Sequence, residues 1–187
     1  ANDSARSSRF RFDYVMLVDP SLSSPAADHL RITELMYEPL GGGSLEFIEF
    51  LNTSNTPLDL GGVSFDGGDP FDALAFGALT LGPDEYAVLV ADTSAFQAEY
   101  GGAIRVLGEW AGGALSNGGE KVVLRDNVGN IIHDFNYDTV SPWPTAPAGT
   151  GPSLEVIDTE GDYNDPANWR SSTAAGGWRF QNIRGIA

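Results

Sequence analysis

The chain has 187 residues, of which 42% are apolar, and this is enough to form the core of one ordinary domain. It contains no cysteine, which excludes a disulfide framework, a cysteine nucleophile and cysteine-based zinc sites. With 26 acidic and 10 basic residues the net charge is −16, and such a surface repels nucleic-acid phosphates and anionic lipid headgroups. No apolar run reaches the roughly 18–20 residues that a transmembrane helix needs. We therefore expect neither nucleic-acid binding nor membrane insertion.

The first predicted element is one strand in an N-terminal arm, which comprises residues 1–28. Apolar and charged side chains alternate over residues 9–18, the period expected of a strand. Asp19-Pro20 ends this strand, and a linker rich in serine, proline and alanine follows over residues 21–28. The side chains that share the apolar face of the strand are Phe10, Phe12, Tyr14 and Met16.

Three interpretations of the arm strand remain open from the sequence. It could fold back as an added strand of its own domain, or it could be the last strand of a domain that precedes it. It could also insert into a neighbouring subunit by strand addition and so build a fibre or a surface lattice. In the last case Phe10, Phe12, Tyr14 and Met16 would form the assembly strand.

Short strands follow one another from residue 29 onward, separated by turns rich in glycine and proline. Only residues 93–100 predict a helix, because Phe96 and Tyr100 are four apart and Gly101-Gly102 ends the segment. Many short strands with frequent turn signals predict an all-β sandwich or barrel. The predicted strands are 29–36, 45–52, 57–60, 63–65, 84–91, 104–107, 120–125, 130–137 and 153–158.

Several motifs follow one another in a specific order and spacing within residues 29–177: 30–52, 55–65, 81–89, 115–120, 124–126, 134–137, Pro142-Trp143-Pro144, 151–155 and Asn168-Trp169. Together they resemble the lamin tail domain family, in particular its bacterial, secreted members. This resemblance implies an immunoglobulin-like β-sandwich that serves as a module of secreted or surface proteins. The family has no catalytic residues, so the resemblance implies that the chain is not an enzyme. Residues 178–187 depart from the family pattern and are assigned to a C-terminal tail.

Catalytic motifs are weak in this sequence. His29 and His133 are the only histidines, and a Ser-His-Asp triad would also need a positioned serine. Ser116 lies in a Leu-Ser-Asn-Gly-Gly turn and not in a Gly-x-Ser-x-Gly nucleophile elbow. No glycine-rich phosphate loop precedes a helix. These observations favour a non-catalytic protein.

Three glutamates lie on the first two strands of the predicted sandwich. Glu46 and Glu49 should point to opposite faces, because side chains alternate along a strand. Glu34 and Glu49 could be cross-strand neighbours, which is unfavourable unless a cation or a proton separates the carboxylates. We expect these acids to lie at a sheet edge or to face solvent, with metal binding as the alternative.

A second group of acids forms a candidate calcium site. Calcium binds six to eight oxygen ligands supplied by loops, and an acidic run around a glycine turn offers such ligands at Asp158, Glu160, Asp162, Asn164 and Asp165. The run lacks the register of an EF-hand, and Asp and Asn also begin turns without any metal. The acidic segment 65–72 is a second candidate. No cofactor is required by the sequence, and Ca²⁺ is the one candidate ion.

The four tryptophans allow a further interpretation. Trp110, Trp143, Trp169 and Trp178 could stack on sugars if they are exposed, or they could close the ends of the core. An acidic chain with one lysine and no cysteine suits an extracellular or cell-surface location. We therefore predict an extracellular, non-catalytic interaction module for adhesion or for surface or fibre assembly, with calcium as a candidate stabiliser. The alternative is an accessory domain that directs a larger secreted hydrolase to a polymer or glycan.

Overall fold

The computed structural model describes residues 23–66, 71, 74–110 and 112–173. The predicted arm strand 9–18 and the tail 178–187 lie outside these residues. Within them the chain is all-β, with eleven strands and two α-helices. The prediction of an immunoglobulin-like β-sandwich is confirmed.

The larger sheet has six strands and contains both the first and the last strand of the described chain. Neighbouring strands are antiparallel, except that the last pair is parallel. In spatial order the strands are β11 (Trp169–Ser171), β10 (Leu154–Val156), β1 (Leu30–Met36), β2 (Phe47–Asn52), β6 (Tyr86–Val90) and β7 (Val106–Glu109).

The second sheet has three strands, β4 (Ser64–Phe65), β8 (Glu120–Arg125) and β9 (Ile131–Tyr137). A two-stranded pair, β3 (Leu58–Asp59) and β5 (Thr80–Leu81), continues it on the β4 side. Backbone hydrogen bonds from Leu60 to Leu79 and from Phe65 to Leu74 join the two parts. On the other side, β9 is the edge strand of this sheet in the described chain.

Two helices accompany the sheets. α1 (Pro25–His29) follows Ser24, whose hydroxyl accepts a hydrogen bond from the Ala27 amide at 3.2 Å. The sequence indicated a linker here, because a single helical turn is too short to show a periodic pattern. α2 (Thr93–Tyr100) has the predicted bounds and begins with Asp92, which accepts from the Ala95 amide at 2.8 Å. Short 3₁₀ turns occur at Gly43–Leu45 and Pro166–Asn168.

Most strand predictions are confirmed within one or two residues at each end, and β8 has the predicted bounds. Two strands were not predicted, β5 and β11. They have two and three residues, too few to show alternation, and they exist because a neighbouring strand supplies the hydrogen-bonding partner.

The six-stranded sheet is buried on both faces. Its inner face packs against the second sheet through residues such as Ile32, Phe50 and Phe135. On its outer face, Phe96 of α2 covers a separate cluster that includes Phe47 and Val88. Because both faces are covered, the central strands β1, β2 and β6 are buried along nearly their whole length and not at alternate residues. Because α2 covers the outer face of the larger sheet, that face is not open to other molecules. Loops and strand edges are therefore the places where contact can occur.

Candidate functional site

Residues 158–165, here called the acidic loop, connect β10 to the 3₁₀ turn before β11. Their carboxylates form the turns of the loop itself: Asp158 accepts a hydrogen bond from the Glu160 amide at 3.0 Å, and Asp162 accepts from the Asn164 amide at 2.8 Å. Asp165 caps the 3₁₀ turn by accepting from the Ala167 amide at 2.9 Å. Each of these side chains thus supports the local backbone.

The fourth acid of the loop is directed outward. Glu160 forms an ion pair with Arg31 of β1, with a distance of 3.1 Å between Oε1 and Nε. Among the described residues, no group of three or more histidine, aspartate or glutamate side chains is arranged to hold a metal ion. The second candidate segment is described only in part, and there Asp66 pairs with Arg125 at 2.7 Å. Calcium binding by Asp158, Glu160, Asp162, Asn164 and Asp165 remains a prediction.

Asn164 has a different role from its neighbours, because its side chain reaches the edge of β9. Its Oδ1 accepts a hydrogen bond from the Asn136 amide at 3.1 Å, and its Nδ2 donates to the Asp134 carbonyl oxygen at 3.1 Å. One side-chain amide therefore satisfies two outward-facing backbone groups of an edge strand, as a residue of a neighbouring parallel strand would do. No local sequence pattern indicates this contact, since the partners are 28 and 30 residues away.

Three glutamates form a row across adjacent strands of the larger sheet. Glu34 of β1 lies opposite Glu155 of β10 on one side and opposite Glu49 of β2 on the other. Their exposed fractions are 0%, 3% and 1%, so the expectation that Glu34 and Glu49 face solvent is wrong. Arg170 contacts the Glu155 carboxylate at 2.9 Å, and the Thr33 hydroxyl donates to Glu49 at 2.6 Å. The cross-strand placement was foreseen, but Glu155 was not.

Glu46 lies at the end of the sandwich and is also buried. Its Oε2 accepts a hydrogen bond from the Leu115 amide at 2.7 Å. Burial, with a smaller contribution from the Glu120 charge, raises the pKa of Glu46 to about 7. Glu120 of β8 accepts from the next amide, that of Ser116, at 3.0 Å. Carboxylates from both sides of the sandwich thus hold the loop over residues 112–119.

A search of protein-family models matches residues 23–139 to the lamin tail domain. This match covers more than half of the chain. The chain belongs to the lamin tail domain family. No curated protein and no solved structure matches it. β10, the acidic loop and β11 follow the matched segment, and they complete one edge of the larger sheet of this lamin tail domain.

Lamin tail domains are non-enzymatic, immunoglobulin-like domains that act in protein interactions. The surroundings of His133 agree with a structural role. Its Nε2 accepts a hydrogen bond from the Ile32 amide at 3.1 Å, where β1 is irregular, and the Tyr163 hydroxyl donates to the Ile32 carbonyl at 2.8 Å. Burial lowers the pKa of His133 to about 3, so that its imidazole is neutral at physiological pH. His133 therefore connects the two sheets of the domain.

The tryptophans of the domain do not form an exposed platform in the described chain. Trp110 and Trp169 are 2% and 3% exposed, and Trp143 packs against Trp169 with ring centroids 5.8 Å apart. Trp178 lies outside the described residues, as do Phe10, Phe12, Tyr14 and Met16 of the predicted assembly strand. None of the described helices is long and apolar enough to cross a bilayer. For Trp110, Trp143 and Trp169, closing the core is thus the interpretation that the structure supports.

Proposed function

We propose that this lamin tail domain is an extracellular, non-catalytic module of a secreted or cell-surface bacterial protein, and that it acts in adhesion or assembly by strand addition. Its partners would be proteins, including further copies of itself. The observation that supports this most directly is the edge strand β9, whose seven residues end an antiparallel sheet. Edge strands of this kind are templates for an added strand.

The charge distribution supports the same proposal. The five basic residues of the described chain each pair with an acid: Arg31 with Glu160, Arg105 with Glu85, Lys121 with Asp134, Arg125 with Asp66, and Arg170 with Glu155. The described domain therefore offers acids to a partner and keeps its cations occupied. A partner segment with arginine or lysine would be favoured, and its affinity would fall with added salt.

The test is the solution mass of the full chain, measured by light scattering at several concentrations. We expect dimers or larger assemblies. Phe12→Pro should abolish them, because proline removes a backbone donor in the middle of the predicted strand. Ser4→Pro is the matched control, since it lies in the arm but outside residues 9–18. A full chain that stays monomeric throughout would contradict assembly.

Calcium is part of the proposal as a stabiliser of the acidic loop. To bind it, Asp158, Asp162 and Asp165 would exchange their present hydrogen bonds to backbone amides for the ion. The unfolding temperature of the full chain should then rise on addition of calcium and fall on addition of a chelator. Equal unfolding temperatures in the two conditions would remove calcium from the proposal.

A further inference from the structure

The edges of the two sheets differ in what they offer to an incoming strand. β7 has four residues, is paired in parallel, and changes register against β6. β11 has three residues, and β3 and β5 have two each. β9 has seven residues and keeps a regular antiparallel register with β8 from Tyr137 to His133, and its register shifts between His133 and Ile131. Short edges are poor templates, so β9, as the longest edge strand in the described chain, is the most favourable acceptor.

Asn164 divides the edge of β9 into two parts. It occupies the Asp134 carbonyl and the Asn136 amide, which belong to the second half of the strand. In the described chain no strand pairs with the outer edge of the first half, residues 131–133. A strand that approaches β9 at the Ile131 end can therefore pair with residues 131–133. To pair with the second half of β9 as well, it must displace the Asn164 side chain.

The arm joins the domain at the end of β9 where the first half lies. Helix α1, which begins within the predicted linker 21–28, contacts β9. The hydroxyl of Ser24, at the start of this helix, is close enough to Asp126 of the β8–β9 hairpin to help lower the pKa of that carboxyl group. Residues 19–22 separate Ser23 from the predicted strand 9–18, and four extended residues span about 13 Å. This is between two and three strand spacings of about 4.8 Å, so the arm is long enough to reach the edge.

The side-chain pattern of the arm strand matches the two faces of β9. His133, Phe135 and Tyr137 of β9 point into the sandwich, whereas Asp134 and Asn136 are exposed. A strand that pairs with β9 would place one face beside the inward side chains of β9 and the other face beside its exposed side chains. As a strand, residues 9–18 would carry three aromatic side chains and Met16 on one face and Arg9, Arg11 and Asp13 on the other. The aromatic face would join the aromatic core, and the arginines would lie near acids.

We infer that β9 is the acceptor edge of this domain and that the predicted strand 9–18 of this protein pairs with it. Asn164 limits how many residues of that strand can pair. This inference rests on the proposed function, because it names the surface through which assembly would occur. Asn164 thereby controls the length of the added strand.

The first experiment locates the arm with a spin label on the full chain. Because the chain has no cysteine, Ile131→Cys at the start of β9 and Glu109→Cys on β7 each give a single labelling site. We expect the β9 label to broaden the amide signals of residues 9–18, and the β7 label to leave them sharp. Broadening from the β7 label, or from neither label, overturns the inference.

Mixing ¹⁵N-labelled chain with spin-labelled, unlabelled chain separates this inference from the proposed function. Broadening of the arm signals in the mixture shows pairing between copies and supports both. If the β9 label broadens the arm signals only when label and arm are in the same chain, and not in the mixture, β9 is the acceptor edge but assembly by strand addition is contradicted.

The second experiment tests Asn164 by amide hydrogen exchange. In Asn164→Ala we expect the arm strand to extend over the freed half of β9, so that amides within residues 9–18 exchange about tenfold more slowly and the Asn136 amide stays protected. Asn164→Asp keeps an acceptor for the Asn136 amide but lacks the donor to Asp134, and it should give an intermediate effect. Asn55→Ala, at an exposed turn, is the control. If Asn136 exchanges faster in Asn164→Ala while the arm is unchanged, Asn164 does not limit strand addition.

Discussion

Replacing Glu46 by glutamine should stabilise the domain at alkaline pH and leave it nearly unchanged in acid. Glu46 is 3% exposed, and its carboxylate accepts a hydrogen bond from the Leu115 amide. The glutamine carbonyl oxygen can accept the same bond and carries no charge. The substitution therefore removes the cost of a buried charge and keeps the contact.

The size of the effect follows from the pKa of Glu46, which rises from 4.5 to about 7 in the folded protein. A folded-state pKa above the unfolded value means that the folded state holds the proton more tightly. This stabilisation is complete below pH 4.5 and is lost as the pH rises through 7. The difference corresponds to about 3 kcal/mol of unfolding free energy between pH 4 and pH 8.

The assay is urea denaturation of wild type and Glu46→Gln at pH 5, 6, 7 and 8, with the free energy obtained by linear extrapolation. We expect the two proteins to differ little at pH 5 and the variant to be more stable at pH 8 by up to about 3 kcal/mol. Glu99→Gln, at an exposed position on α2, controls for the change in net charge. If wild type and Glu46→Gln depend on pH in the same way, or if the variant is weaker at pH 8, burial of this carboxylate is not what sets its pKa.

Two further substitutions test the interior. His133→Leu leaves the buried Ile32 amide without its acceptor and should cost about 1–3 kcal/mol at pH 8. Since the His133 pKa is lowered from 6.5 to about 3, wild type should also lose stability as the pH falls from 6.5 toward 3, and His133→Leu should lack this loss. Urea denaturation at several pH values measures both the cost at pH 8 and the loss of stability in acid. If His133→Leu loses as much stability as wild type between pH 6.5 and pH 3, the acid loss does not come from His133. Gly119→Ala places a methyl group 2.5 Å from the Tyr137 carbonyl oxygen and should lower the melting temperature far more than Gly129→Ala. Gly129 has a similar φ, +94° against +90°, but no neighbour within 4 Å. Equal decreases in melting temperature would therefore mean that the positive φ, and not the contact with Tyr137, causes the effect.

Pattern reasoning found the elements that turns or a period set off from their surroundings. β8 has an apolar run, Val122-Val123-Leu124, between turns, and Phe96 and Tyr100 of α2 are four residues apart. Even β3 and β4, with two residues each, were found because Gly61-Gly62 separates them. β5, β11 and α1 were missed, since these elements of two to five residues carry no period of their own. Such elements form where a neighbour completes their hydrogen bonds.

The acids show the limit of sequence reasoning about sites. Glu34 and Glu49 were placed opposite each other by strand alternation alone, and the register agrees. Their burial could not be predicted, because it depends on what covers the outer face of the sheet. Glu155 joins them from more than a hundred residues away, through pairing of β10 with β1. A local pattern contains no information about such a neighbour.

Composition and local patterns of turns and side chains indicated an acidic, cysteine-free, all-β domain, and the order and spacing of its motifs resembled the lamin tail domain family. These are properties of local sequence, since charge, turns and side-chain alternation act over a few residues. Tertiary structure alone decided what individual polar residues do. Asn164 belongs by sequence to an acidic loop that predicts a metal ligand, yet its side chain lies on the edge of β9. His133 resembles a candidate base, yet it accepts a backbone hydrogen bond across the sandwich. Both roles arise from contacts between segments far apart in the chain, which only the packing of the two sheets brings together.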